Sequence, residues 1–160
     1  MSDQTFSKIA EELTALSPVL DALRNGLGDD LVAVVLFGSQ ARGEADPQSD
    51  WDLLVIACNL PPKALARHFY LKSMLPADWR ACISLLAKTP QEFESRFPSL
   101  YLDIALDGIV LFDREEYMTR RLEWIRQQIQ RHHLQRLRLD RDLMWYGPSP
   151  ISAPGWEGFA

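Results

Sequence analysis

The chain has 160 residues, of which 47% are apolar and 24% charged, enough for one domain with a sizeable core. No apolar run approaches the ~18 residues of a transmembrane span, and the opening MSDQTFSKIAEEL lacks the basic and apolar regions of a signal peptide, so no membrane association and a cytoplasmic location are expected. A net charge of −5 argues against a dedicated nucleic-acid-binding domain, although Arg114–Arg141 alone carries a net +4, the pattern of a solvated helix laced with salt bridges.

In chain order, residues 3–16 place Phe6, Ile9, Ala10, Leu13 and Leu16 on a helical stripe. Ser17-Pro18 reads as an N-cap and first helical residue for a second helix over 18–26. LVAVVLFG (31–38) and WDLLVIAC (51–58) are apolar throughout and read as buried strands, with RACISLLA (80–87) as a third. Between the last two, 63–74 is expected to be helical. Thr89-Pro90-Gln91-Glu92 is a capping box that starts another helix, which Pro98 splits before it ends near Asp107-Gly108. IVLF (109–112) is a short fourth strand. Asp113 and Glu116 then have capping spacing for a long helix reaching about residue 140, with Leu122, Ile125, Ile129 and Leu137 on one face. Cys58 and Cys82 are expected as buried thiols, since neither CxxC spacing nor a secretory signal accompanies them. His68, His132 and His133 lack a ligand pattern, because adjacent helical residues diverge by about 100°, and a structural or solvent-facing role is expected. The order predicts a small α/β domain, a mixed sheet of about four strands flanked by helices with a long C-terminal helix.

The stretch LFGSQARGEADPQSDWDLLVI (36–56) carries the chemistry. Residues i and i+2 of a strand share a face, so Asp50 and Asp52 are expected to project together and Trp51 away from them. Two unpaired carboxylates on one face repel each other; a divalent cation resolves this, and Mg²⁺ typically takes one or two carboxylates, water and substrate phosphates. Gly38 leaves room for a phosphate near the backbone, Ser39 supplies a hydroxyl at the start of a short helix, and Arg42 adds a guanidinium. GEADPQS is turn chemistry that returns the second strand beside the first. The stretch reads as a triphosphate cradle facing a metal-binding pair.

Gly38-Ser39, ten residues, then Asp50-Trp51-Asp52 resembles the GS-x10-DxD signature of the DNA polymerase β-like nucleotidyltransferase superfamily, and especially its small prokaryotic members, the minimal nucleotidyltransferases. The resemblance covers roughly residues 30–113 and implies a nucleotidyltransferase domain, expected over 1–140; the Pro, Gly and Trp content of 141–160 marks that stretch as a tail. It further implies a Mg²⁺-dependent transfer of a nucleoside monophosphate, AMP from ATP being the first choice, to an acceptor hydroxyl. Asp50 and Asp52 would be the catalytic metal ligands, and Gly38, Ser39 and Arg42 the nucleotide-binding residues. HEPN-type toxin partners, some of them modified on tyrosine, are implied for such proteins.

The family usually carries a third carboxylate on a later strand. Ser84 stands at that position here, or Cys82 if the register shifts by one strand period, and neither is an acid. Asp78 and Glu92 lie near the ends of that strand. Two functions therefore stay open: a transferase, or an antitoxin-like nucleotide-binding protein that acts by partner binding. The apolar face of the 114–140 helix is read either as core or as a surface for another chain, including an oligomer, and the Trp-bearing tail either wraps its own domain or reaches a partner.

Overall fold

The computed structural model describes residues 3–148 and 154–159. The side chains of Phe6 and Ile9, and residues 149–153 and Ala160 of the tail, lie outside the described residues. Helices α1 (Asp3–Ala15) and α2 (Ser17–Leu27) lead into β1 (Leu31–Phe37), and a one-turn helix α3 (Gly38–Arg42) follows it directly. Then come β2 (Trp51–Ala57), α4 (Ala64–Met74), β3 (Ile83–Lys88), α5 (Pro90–Ser95), α6 (Ser99–Asp107), β4 (Ile109–Asp113) and α7 (Tyr117–Arg131). A hairpin of β5 (Gln135–Leu139) and β6 (Asp142–Tyr146) completes the described elements.

The main sheet has the order β3-β2-β1-β4. β1 runs antiparallel to β2 and β4, while β2 and β3 are parallel, with α4 as the crossover that a parallel pair requires. Strands β1 and β2 are buried on both faces, which accounts for their unbroken apolar sequence. One face packs Leu53 and Val55 against α2 and α4 through Val19, Leu23, Leu71 and Leu75. The other packs Leu54 and Ile56 against α5, α6 and α7 through Phe93, Ile104, Met118, Leu122 and Ile125. The apolar face of α7 is thus used inside the domain.

Several sequence expectations need correction. Leu16, rather than Ser17, is the N-cap of α2, and Ser17 is its first helical residue. β3 starts at Ile83, later than expected, because Arg80–Cys82 finish a turn: the Arg80 guanidinium donates to the Leu75 and Ser73 carbonyls at the end of α4. Cys58 is exposed and Cys82 half-buried, each just outside a strand. The Asp113–Glu116 box does not form. Instead the Asp113 carboxylate accepts from the Met118 and Thr119 amides at 2.8 Å, while Glu115 and Glu116 take left-handed backbone.

The expected helix to residue 140 ends at Arg131. His133 has φ +51°, and the amides of His133 and Leu134 donate to the Gln130 and Ile129 carbonyls. These are the two bonds of a Schellman stop, with histidine in the place glycine usually takes. Leu137, expected on the helix face, instead lies exposed on β5. The Thr89 capping box and the break at Pro98 form as expected.

The free edge of β3 is covered by side chains rather than by a strand. Lys72 Nζ donates to the Ile83 carbonyl, and Arg67 Nη1 to the Ala87 carbonyl at 3.1 Å. Arg67 also forks onto Glu92 at 2.7 and 2.9 Å, tying α4 to α5. The tail folds back on its own domain. Trp156 packs on Phe93 and Phe97 at ring distances of 5.5 and 5.1 Å and donates to the Arg96 carbonyl, while Trp124 donates to the Gly155 carbonyl.

Candidate active site

The site lies where β1 ends and β2 begins. Antiparallel pairing sets Phe37 opposite Asp52, so Gly38 follows at the level of that carboxylate. Gly38 has φ +76°, and a Cβ there would overlap an Asp52 carboxylate oxygen. Glycine is therefore required twice, for its left-handed backbone and for the space the carboxylate occupies. The room expected for a phosphate is taken, at this atom, by Asp52.

Asp52 shares its sheet face with Leu54 and Ile56, and Trp51 turns to the opposite face, where it meets Trp79 edge-on at 6.1 Å. Asp50 stands exposed just before β2, near enough for its charge to act on Asp52. The Asp52 carboxyl is raised above its ordinary range, first by burial and then by Asp50, against the opposing pull of the Ser84 side chain and Arg42. Parallel pairing aligns Asp52 with Ser84, which fixes Ser84 rather than Cys82 as the residue beside the pair. The returning loop is set by Asp46, whose carboxylate accepts from the Gln48 amide at 2.8 Å in an Asx turn. Ser39 sits half-buried in the single turn of α3.

Neither Asp78 nor Glu92 completes a triad. Glu92 is held by Arg67 and by the Thr89 amide, and among the described residues no group of three or more His, Cys, Asp or Glu side chains is arranged to hold a metal ion. Two carboxylates, Asp52 half-buried and Asp50 exposed beside it, still fit a hard divalent cation that takes its remaining oxygens from water and phosphate.

Arg42 is engaged. Its Nε lies 2.9 Å from Glu44, and its Nη1 lies 3.7 Å from Asp107 of α6. Sequence reasoning missed the partners that share these acids. Arg138 of β5 bonds both Glu44 oxygens at 2.7 and 2.9 Å, and Arg136 forks onto Asp107 at 2.5 and 3.0 Å. The hairpin is also fastened by Arg136 and Trp145 Nε1 to Asp103, at 3.3 and 2.9 Å. A cavity of about 240 Å³ opens between the hairpin and the motif, lined by Gly38, Arg42, Asp103, Asp107 and Arg141 among others. The alternation in QRLRL (135–139), followed by Asp140-Arg141, was the available signal for this hairpin.

The nucleotidyltransferase domain family matches residues 16–137 of this chain. Over 149 residues the chain is 32% identical to a Methanocaldococcus jannaschii protein provisionally named a protein adenylyltransferase, covering 91% of this chain and 96% of that relative. The chain belongs to the nucleotidyltransferase domain family and is an enzyme of that type. Among solved structures, that of a toxin–antitoxin with AMP-PNP superposes with a TM-score of 0.50 at 18% identity, over 72% of this chain and 90% of that one. A nucleotidyltransferase structure from Sulfolobus solfataricus superposes at 0.49 with 15% identity, over 72% of this chain and 93% of that one. The first of these likenesses supports the nucleotidyltransferase fold. No helix among the described residues is long and apolar enough to cross a membrane.

Proposed function

We propose that this chain transfers AMP from Mg·ATP to a hydroxyl group on a protein acceptor. The observation that carries the reading is the Asp52 carboxylate standing against Gly38, with the charge of Asp50 acting on it and Ser39 and Arg42 on the short helix that Gly38 opens. Asp50 and Asp52 would hold the metal ion, which when bound neutralises phosphate charge. Ser39 and Arg42 would orient the triphosphate for in-line attack, so that catalysis rests mainly on positioning and charge. The choice of adenylate and of a protein acceptor draws support from the relative named as a protein adenylyltransferase. A partner of the HEPN toxin kind is the candidate acceptor that the family resemblance suggests.

A second reading has its own observation: Ser84 stands beside Asp52 where an acid would otherwise serve as base. A serine hydroxyl is a poor metal ligand and a poor base. On this reading the protein binds nucleotide and partner, and transfers slowly or not at all.

The test is calorimetry of Mg·ATP binding to the wild type and to the Asp50→Asn/Asp52→Asn double variant, with transfer of α-labelled ATP to candidate proteins. The double variant is expected to lose metal-dependent binding by tenfold or more. It should keep or raise its melting temperature, because a half-buried ionised carboxylate and its repulsion from Asp50 are removed. Unchanged Mg·ATP affinity in a folded double variant would overturn the proposal. Binding without transfer to any acceptor would favour the second reading.

A further inference from the structure

Arg42 is the site's phosphate-directed cation, yet two carboxylates already lie against it. A guanidinium held by Glu44 and Asp107 together would be neutralised before any nucleotide arrived. The geometry divides these acids unequally. Glu44 gives both oxygens to Arg138, at 2.7 and 2.9 Å, and only one to Arg42, at 2.9 Å. Asp107 makes a two-bond fork with Arg136 at 2.5 and 3.0 Å, while its approach to Arg42 is 3.7 Å, beyond hydrogen-bond range. The Arg136 fork onto Asp107 is the stronger, bidentate kind, and Arg138 Nη2 alone reaches both Glu44 oxygens, one of them closer than Arg42 does, so the hairpin has the first claim on both acids.

We propose that Arg136 and Arg138 of the β5–β6 hairpin are positioning residues of the nucleotide site, drawing Asp107 and Glu44 off Arg42 so that its guanidinium can turn to the polyphosphate. This rests on the nucleotide-binding reading above and names a regulator of the same site. The physical logic is competition for charge: Glu44 Oε2 is shared by Arg138 and Arg42, each at 2.9 Å, and the more the carboxylate is neutralised by the hairpin, the less it holds Arg42. Arg138 comes before Arg42 among the causes that hold the Glu44 carboxyl below its ordinary range, the order its shorter contact would give. The cavity between hairpin and motif is lined by both Arg42 and Arg141, so the guanidinium has space to move toward Gly38. Hairpin docking and nucleotide affinity are then coupled: a chain whose hairpin is undocked leaves Arg42 trapped between two acids.

A merely structural role for Arg138, holding the hairpin in place, makes the opposite forecast in one arm of a double-variant cycle. Arg138 is exposed, so Arg138→Gln is not expected to unfold the protein. If Arg138 acts by occupying Glu44, Arg138→Gln weakens Mg·ATP binding about tenfold, the loss of one charge-assisted contact to phosphate. In a transfer assay this appears in KM, with kcat little changed. Glu44→Gln alone leaves affinity equal or improved, and the double variant recovers wild-type affinity, since nothing remains to hold Arg42. If Arg138 only fastens the hairpin, Glu44→Gln breaks the same link, weakens binding as much as Arg138→Gln, and rescues nothing. That result, or unchanged affinity in Arg138→Gln, overturns the inference. The Asp50→Asn/Asp52→Asn control separates the two levels. If it still loses metal-dependent binding while the cycle is flat, only the hairpin inference fails; if it binds as the wild type does, the nucleotide-site reading fails with it.

Discussion

At the residue scale the site turns on a carboxylate, a glycine and a serine. Asp52 and Gly38 are fitted to each other, since the position of one excludes a side chain on the other. Ser84 is the residue proposed to stand where the family resemblance implies an acid. It is exposed and aligned with Asp52, so an aspartate there meets no packing obstacle. Ser84→Asp adds a third acid beside the pair, and an acid that serves as base acts in the transition state rather than in ground-state binding. With an acceptor protein in hand, kcat at saturating Mg·ATP is expected to rise on the order of tenfold or more, with Mg·ATP affinity within about twofold of wild type. A brisk wild type slowed by the substitution would mean that another group takes the proton. The motif residues were legible because a strand's two-residue period and a glycine's missing side chain constrain geometry within a few residues. Glu44 and Asp107 were not, because their role depends on arginines that approach from a different part of the chain.

At the element scale, Arg67 and Glu92 join α4, β3 and α5 in one ion pair. Glu92 is held down to about 2, first by Arg67 and then by the Thr89 amide. A carboxylate whose folded value lies below its unfolded value adds stability that is complete above the unfolded value and is lost as pH falls toward the folded one. The wild type is therefore expected to melt above Glu92→Gln at pH 7, by roughly 2 °C since the pair is partly screened by solvent. The gap should close between about pH 4.5 and about pH 2, as melting curves across that range would reveal. Gln retains the reciprocal capping bond, which isolates the charge. A gap that persists to the acid end would place the stabilisation in packing. The four strands of the main sheet and the break at Pro98 were readable from apolar runs and punctuation. The hairpin was not: Gln, Arg and Leu are good helix formers, and Leu137 also fits the spacing of the preceding helix. Only the Schellman stop at His133, a residue type without glycine's signature, turns the chain out of the helix.

At the scale of the whole molecule, chain segments distant in sequence close the domain around its sheet. The tail's Trp156 touches Phe93 and Phe97, and its indole N–H donates to the Arg96 carbonyl. Trp156→Ala is expected to cost about 2 kcal/mol, less than a fully buried tryptophan, and to lower the melting temperature by roughly 5 °C. A variant that melts with the wild type would show the tail to be loosely applied. The plugged edge of β3 bears on how a macromolecule reaches the cleft. Peptides are often recognised by adding a strand to an exposed edge, with backbone bonds supplying affinity irrespective of sequence. Here such a guest would have to displace Lys72 and Arg67 from the Ile83 and Ala87 carbonyls, on the strand that carries Ser84. Strand addition along this edge is thereby opposed at those two carbonyls. For the proposed protein acceptor the consequence is one of shape: its hydroxyl would be presented across the ends of the strands rather than by a strand added to this edge.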